Sequence, residues 1–356
     1  MRDFLIIGGG IAGLAAAAAL SAHGSVTVLE AEATLAHHAS SRSAALFEPS
    51  YGLPPVVALS RASADALKAE GVLSPRGLMI VARADQRAVF ESEIASMGLT
   101  EVGMEAALAR VPILNPDAVA FAALADHAWD IDTDRLIQTY ARRARAAGGE
   151  VLTGAPVTAI RRVAGGWEVD TPIGTHRAAR LVNAAGPWAD RVAEMAGIAP
   201  IGLTPLRRSM ARIPAPGGHD LSNWPMIFGA EESWYAKPDA GALIVSPAEE
   251  DPAEPHDAWA DDMVLAEGLA RYEAMVTEPV TRLLANWAGL RTFAPDRVLV
   301  IGPDPLDGDF LWSAGQGGYG FQTAPGAAAL LAALAVGQAP ALDPDTVAAL
   351  TPARFR

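Results

Sequence analysis

No cysteine occurs in the 356 residues, which excludes disulfides, thiolate metal ligands and cysteine nucleophiles together and fits a reducing, cytoplasmic setting. Positive charge is also scarce. Lys and Arg number 27 against 41 Asp and Glu, a formal charge of −14, so nucleic acids and anionic membrane surfaces are disfavoured as partners. No apolar run reaches the roughly 20 residues of a membrane-spanning helix. The Ala/Leu-rich stretch Ala327 to Val336 reads as a core helix, and no integral membrane segment is expected. No basic segment precedes the first apolar run; Phe4 to Ile7 leads straight into glycines and reads as a buried strand rather than a leader. The His residues lack metal-ligand spacing, and the adjacent His37 and His38 read as loop or cofactor-contact residues, so no metal is expected.

What is present is a large apolar fraction, 51%, enough at this length for two structural units. Phe4 to Ile7 is strand-like, Ile11 to Leu20 is an Ala-rich helix former, and Ser25 to Leu29 is a second strand ending at Glu30. Strand, helix, strand implies a right-handed crossover and a parallel sheet with its ligand beyond the strands' carboxyl ends. The turn Gly8-Gly9-Gly10-Ile11-Ala12-Gly13 lies at that end and has the GxGxxG spacing that lets backbone approach a pyrophosphate at a helix N-terminus. Glu30 stands where a carboxylate can accept hydrogen bonds from an adenosine ribose. These residues alone are compatible with NAD or FAD.

A second glycine-rich segment, Gly315-Gln316-Gly317-Gly318-Tyr319-Gly320-Phe321-Gln322-Thr323, stands before the helix expected over Ala327 to Leu334. Its backbone can approach a planar ligand, and the helix dipole favours negative charge on a reduced isoalloxazine. A cofactor spanning both ends of the chain points to FAD, and the lack of cysteine excludes a cysteinyl-flavin linkage. Between these segments the chain reads as a loop from His37 to Gly52, a helix through Leu59 to Leu67, a separate lobe from Leu78, and strands near Glu150, Val157, Trp167 and Ala179. Residues Gly202 to Ser246 read as a larger sheet and Asp261 to Leu284 as helical. Pro247 to Asp257 reads as a surface loop.

With both glycine turns placed, the sequence resembles the D-amino acid oxidase and dehydrogenase superfamily, and within it the bacterial FAD-dependent D-arginine dehydrogenases. The segments that carry the resemblance are Ile7 to Gly13, His38 to Ala45, Ser50-Tyr51-Gly52, Leu73 to Arg76, Asp130 to Asp134, Leu181 to Gly186, Arg207-Arg208-Ser209, Tyr235 to Gly241, Trp287 to Arg291 and Gln316 to Thr323. The resemblance implies an α/β protein, with a Rossmann-type FAD-binding domain interleaved with an α+β substrate domain on a mainly antiparallel sheet. The expected FAD-binding stretches are residues 1–76, 134–200 and 285–356, and the substrate stretches 77–133 and 201–284. It further implies non-covalently bound FAD and oxidation of a D-amino acid to an imino acid, which hydrolyses to a 2-oxo acid and ammonia.

By resemblance, Arg208 and Arg291 hold the substrate carboxylate, Tyr51 and Tyr235 line and close the site, and Gly289 and Gln322 stand at the substrate–flavin junction. Arg42, Ser43, Ala44, Val157 and Gly186 are implied FAD contacts. Ala31, Ala185, Trp188, Gly317, Gly318, Tyr319, Gly320 and Thr323 complete the expected cofactor set. The residues themselves say less. A planar guanidinium suits a carboxylate, and Arg291, ending the run Trp287-Ala288-Gly289-Leu290, needs an anion if buried. That anion is a substrate or a structural Asp or Glu; Arg208 reads equally as a surface charge beside Arg207, and the tyrosines as packing aromatics.

Departures from the D-arginine dehydrogenase pattern concern the side-chain pocket, expected to include Leu46, Glu48, Leu78, Gly289 and Phe321. Leu78 stands where that family carries a guanidinium-pairing glutamate, and Leu46 where it carries a histidine. Both changes favour apolar side chains over D-arginine. Glu48 on the same loop either restores a partner for a cation or faces solvent. Oxidation of a secondary amine such as sarcosine or a cyclic imino acid, and a non-catalytic flavin-binding role, are the competing readings. The residues leave the electron acceptor unspecified.

Overall fold

The computed structural model describes residues 1–356. Strand Arg2–Ile7, buried from Phe4 onward, leads into helix Ile11–Leu20 and strand Val26–Leu29, and the two strands pair in parallel with Phe4 opposite Val26. On its other edge Arg2–Ile7 pairs in parallel with the end of the long strand Gly174–Asn183, which takes Phe310–Ala314 in parallel beyond it. Glu150–Leu152 extends the opposite side. The residues that follow these strands, Gly8, Glu30, Ala184 and Gly315, therefore collect along one edge of the sheet, where a parallel α/β sheet binds its ligand.

The second sheet is built on Thr204–Pro214 and Ala285–Phe293, paired antiparallel with Arg208 opposite Gly289 and Leu206 opposite Arg291. Ala242–Ser246, Tyr235–Asp239 and Met226–Gly229 continue it antiparallel. Met226–Gly229 then runs parallel to Leu78–Ala82, which pairs antiparallel with Phe121–Ala125. The sheet is thus mainly antiparallel, as the resemblance implies. Because residues two apart share a face and cross-strand partners share it too, this register puts Arg208, Met210, Gly289 and Arg291 on one face. The two guanidiniums become diagonal neighbours, with no side chain at Gly289 between them.

Three local features differ from expectation. The last long helix starts at Gly320 rather than Ala327 and contains Pro325; Gly320, Pro325 and Gly326 read as loop because their propensities are poor, but packing against helix Pro54–Ala69 overrides them. There Gly326 N–H bonds to Ser63 Oγ at 3.0 Å, and a Cβ at Gly326 would stand 2.8 Å from Leu59 O. The helix expected over Asp261 to Leu284 ends at Glu273. Finally, Leu46–Phe47, Leu73–Pro75 and Trp129–Ile131 form a small sheet of their own, whose short strands are too brief for an alternation signal.

Candidate active site

The first glycine turn forms a cradle. Helix Ile11–Leu20 has no side-chain cap at Gly10; its Ile11 N–H is taken by Ser40 Oγ at 3.0 Å, and the positive end of its dipole, at the glycine turn, favours an anion. Gly8 has φ +109°, and a Cβ there would meet Ala184 O at 2.3 Å; only glycine fits. Glu30, 8% exposed, accepts hydrogen bonds from Gly9 N–H at 2.6 Å and Glu32 N–H at 2.9 Å. The structure also brings Ala155 to Glu30, through Ala155 N–H to Glu30 O at 2.8 Å, with Val157 just beyond. Trp188 packs 4.7 Å from the His38 ring.

From this cradle a cleft of about 120 Å³ runs past Gly10, Ile11, Ala12, Arg42, Ser43, Gly186, Gly289, Gly317, Gly318 and Gly320. Helix Gly320–Ala335 points its uncapped N-terminus into the same region. Within its first turn the Thr323 hydroxyl donates back to Tyr319 O at 2.8 Å, a bond to a carbonyl that leaves the terminal N–H groups uncapped. Thr292 lines the cleft, and its buried Oγ1 lacks a hydrogen-bond partner. An open pyrophosphate cradle, a carboxylate at the ribose position and an orphaned hydroxyl beside a second helix N-terminus fit FAD. Arg42 is committed elsewhere: its guanidinium donates to Ala258 O at 2.7 Å and Ala288 O at 2.9 Å and pairs with Asp257. Asp257 also approaches His37 and His38. The charge of Arg42 already balances that carboxylate, so this group is a clasp between the two lobes rather than a metal site.

A larger cavity of about 910 Å³ adjoins the cleft, and Ser43, Arg208, Arg291, Gly318 and Phe321 border both. Arg208 is 3% exposed. Its Nη2 lies 3.1 Å from Glu250 Oε1, while its Nε is buried without a partner. Burial, and then repulsion from Arg291, push the Arg208 guanidinium below its ordinary pKa. Arg291 packs against Gly318, where a Cβ would stand 2.9 Å from its Nη1. Burial opposes its charge, but Tyr235, Tyr51, Glu232 and Glu250 outweigh that and hold its pKa high. Arg291 forms no ion pair within 4.0 Å. Two converging cations with unused donors make a seat for a carboxylate.

Tyr235, 2% exposed, lies 6.0 Å beneath the Arg208 guanidinium. Its hydroxyl donates only to the Met210 sulfur, at 3.3 Å, a weak acceptor. Tyr51 approaches from the other side and donates to Glu232 Oε1 at 2.9 Å; burial raises its pKa. Gln322 ties the Tyr51 loop to the long helix, its amide donating to Tyr51 O and accepting from Glu48 N–H, each at 3.4 Å. Leu46, Leu78, Ile80, Met226 and Phe228 form an apolar wall. The sequence reading missed Ile80, Met226, Phe228, Glu232, Glu250 and Arg297, which reach the cavity only through strand pairing and turns.

Glu48 faces the cavity rather than solvent. It is 2% exposed, Oε2 accepts from Ser50 N–H at 3.0 Å, and Oε1 has no hydrogen-bond partner, with His127 Nε2 3.4 Å away. Burial raises its pKa. The folded protein therefore binds this proton more tightly than the unfolded chain; the stability it confers is complete below the ordinary carboxylate range and is lost as pH rises through the folded pKa. Glu48→Gln is accordingly expected to raise the melting temperature at pH 8, by about 2 °C per ~1 kcal/mol relieved, and to change it least near pH 4. Thermal unfolding at both pH values checks this; an equal shift at both would remove Glu48 titration as the cause.

Parallel sheet, open pyrophosphate cradle and adjoining carboxylate seat define an FAD-dependent oxidoreductase with a two-lobed architecture. The chain belongs to the DAO family of FAD dependent oxidoreductases, whose profile matches residues 3–334. Its fold is shared with glycine oxidase from Geobacillus kaustophilus, at TM-score 0.84 and 23% identity over 100% of this chain and 99% of that one. L-proline dehydrogenase from P. horikoshii is similar at TM-score 0.85 and 22% identity, covering 99% and 97%. Mitochondrial dimethylglycine dehydrogenase of Homo sapiens is 26% identical over 239 residues, 60% of this chain. The chain spans about a quarter of that relative's length, 27%. No helix is long and apolar enough to cross a membrane.

Proposed function

We propose that the protein oxidises a D-amino acid to its imino acid, which hydrolyses to a 2-oxo acid and ammonia, with apolar side chains favoured over D-arginine. The observation that carries this reading is the convergence of Arg208 and Arg291 at the border of cleft and cavity. FAD, when bound, supplies the hydride acceptor. The chain's own residues supply the rest. Arg208 and Arg291 bind the carboxylate, and Tyr235 offers a hydroxyl beside them. Fixing the carboxylate fixes the direction of the α-hydrogen, and such positioning provides much of the rate advantage. Tyr51, latched to Glu232, covers the seat and excludes water.

Leu46, Leu78, Ile80, Met226 and Phe228 give the substrate side chain an apolar wall, along which each buried methylene is worth about 0.8 kcal/mol. Against this, Glu48 faces the same cavity with Oε1 unpartnered and offers a cationic side chain a partner, so the rate with D-Arg measures how far the apolar wall outweighs it. An anaerobic absorbance screen of amino acids, read at the flavin bands, tests the proposal. D-Leu, D-Met and D-Phe are expected to bleach the oxidised flavin about 10-fold or more faster than D-Arg, and L-isomers not to do so. Failure of every D-isomer would sink the proposal.

A second reading, oxidation of a secondary amine by the same carboxylate seat, draws support from the similarity to dimethylglycine dehydrogenase and L-proline dehydrogenase. Against it, the apolar wall of Leu46, Leu78, Ile80, Met226 and Phe228 is more surface than N-methylglycine can cover. Sarcosine and proline in the same screen separate the two. A protein that only binds flavin would keep its oxidised spectrum with every compound.

A further inference from the structure

The wall between cofactor cleft and substrate cavity is the segment Ser43-Ala44-Ala45-Leu46. Ser43 borders both spaces, and Ala44, Ala45 and Leu46 line the cavity. Within it Ala45 has φ +45°, a left-handed conformation that glycine adopts freely and alanine does not. A non-glycine residue persists there only if its surroundings hold it. Three contacts do so. Ala45 N–H donates to Ser43 Oγ at 3.1 Å, Ile131 N–H donates to Ala45 O at 3.2 Å, and the Lys237 ammonium donates to Ala44 O.

Lys237 is the unusual member. It lies on strand Tyr235–Asp239, two residues from Tyr235 and so on the same sheet face, and is only 9% exposed. Its charge is balanced by Asp130 Oδ1 at 3.0 Å, and Asp130 Oδ2 takes Arg76 Nη2 at 2.6 Å. A buried ammonium is costly even when paired, and an apolar side chain would serve the sheet as well. The structure therefore gives Lys237 a task beyond packing.

We propose that Lys237 is a positioning residue: by holding the Ala44 carbonyl it keeps Ala45 left-handed, and thereby sets the shape of the wall that flavin and substrate share. The alternative is that Lys237 only neutralises Asp130. The two differ in what repairs the loss of the ammonium. If it acts through Ala45, glycine at position 45 removes the conformational cost and makes the clamp dispensable. If it acts through charge, neutralising Asp130 does so.

The test compares holoprotein carrying Lys237→Met, Lys237→Met with Ala45→Gly, and Lys237→Met with Asp130→Asn. Readouts are the FAD dissociation constant, the visible spectrum of bound flavin, thermal unfolding, and kcat and KM separately; the first three need no substrate, so they stand apart from the amino acid reading. Lys237→Met is expected to weaken FAD binding about 10- to 100-fold, the range for losing a charged hydrogen bond, and to shift the flavin band. Adding Ala45→Gly is expected to restore most of both, and adding Asp130→Asn to restore neither. Wild-type FAD affinity and spectrum in Lys237→Met, or repair by Asp130→Asn but not Ala45→Gly, overturns the proposal. If Lys237→Met does not fold alone, a folded, flavin-bearing Lys237→Met/Ala45→Gly protein supports it and an unfolded one overturns it.

Discussion

Arg291→Met is expected to leave a folded flavoprotein whose kcat/KM for the proposed amino acid substrate falls roughly 30-fold to several thousand-fold, a transition-state loss of about 2–5 kcal/mol. The loss arises because Arg291 is the clamp residue with no ion pair of its own, so all its donors remain for substrate. Arg208, by contrast, already touches Glu250 at 3.1 Å. Met fills similar space without charge, so flavin content should be retained, and the effect should be expressed per bound flavin. Arg291→Lys keeps the charge but loses the planar fork and should fall between wild type and Arg291→Met. Steady-state kinetics with D-Leu or D-Met decide the matter. An unchanged kcat/KM in Arg291→Met would place the substrate carboxylate elsewhere.

Gly8→Ala is the second large effect, and it acts on the cofactor and fold rather than on substrate. The added Cβ would stand 2.3 Å from the Ala184 carbonyl oxygen and 2.8 Å from its carbon. Both are backbone atoms of the segment that follows a central strand, so nothing flexible can move aside. The φ of +109° adds strain that no L-residue escapes. Overpacking costs about 1–3 kcal/mol and a forbidden backbone region a similar amount, and the turn must shift just where pyrophosphate binds. The variant is expected to purify with little FAD and to unfold several degrees lower. Gly103→Ala serves as control, since Gly103 has φ −70° and nothing within 4 Å of its added Cβ. Equal FAD content and melting temperature in the two variants would falsify the role assigned to the Gly8 turn.

How much of this was legible beforehand depended on range. Gly8 to Gly13 and Glu30 could be read locally because a strand, a turn and a helix sit within a short stretch and each carries its own periodicity. The pairing of Arg208 with Arg291 rests on an antiparallel register between strands far apart in sequence, and only the resemblance supplied it. Arg297, Glu232 and Glu250 had no signal: each lies on a turn or loop, and their arrival at the cavity follows from how the second sheet is folded. Glu48 was readable as a loop carboxylate, but its 2% exposure reflects packing against Gln322 and the Ser50 turn. The start of the last helix was obscured for a different reason. Gly320, Pro325 and Gly326 argue locally against helix, and the argument is overruled by the close approach of Pro54–Ala69.

With the substrate carboxylate seated on Arg208 and Arg291 as proposed, Glu250 also changes what binding means in this protein. Its carboxylate lies against Arg208 and, at 2.8 and 2.9 Å, against Arg297. An arriving carboxylate thus meets a seat already half furnished with a resident anion. Association becomes an exchange of one carboxylate for another at Arg208, with Glu250 left to Arg297. The resident anion keeps the guanidinium partly compensated between turnovers, and selectivity follows from competition: a ligand must offer Arg208 and Arg291 together more than Glu250 offers Arg208 alone. Neutral amides and esters of the same amino acids would fail that contest.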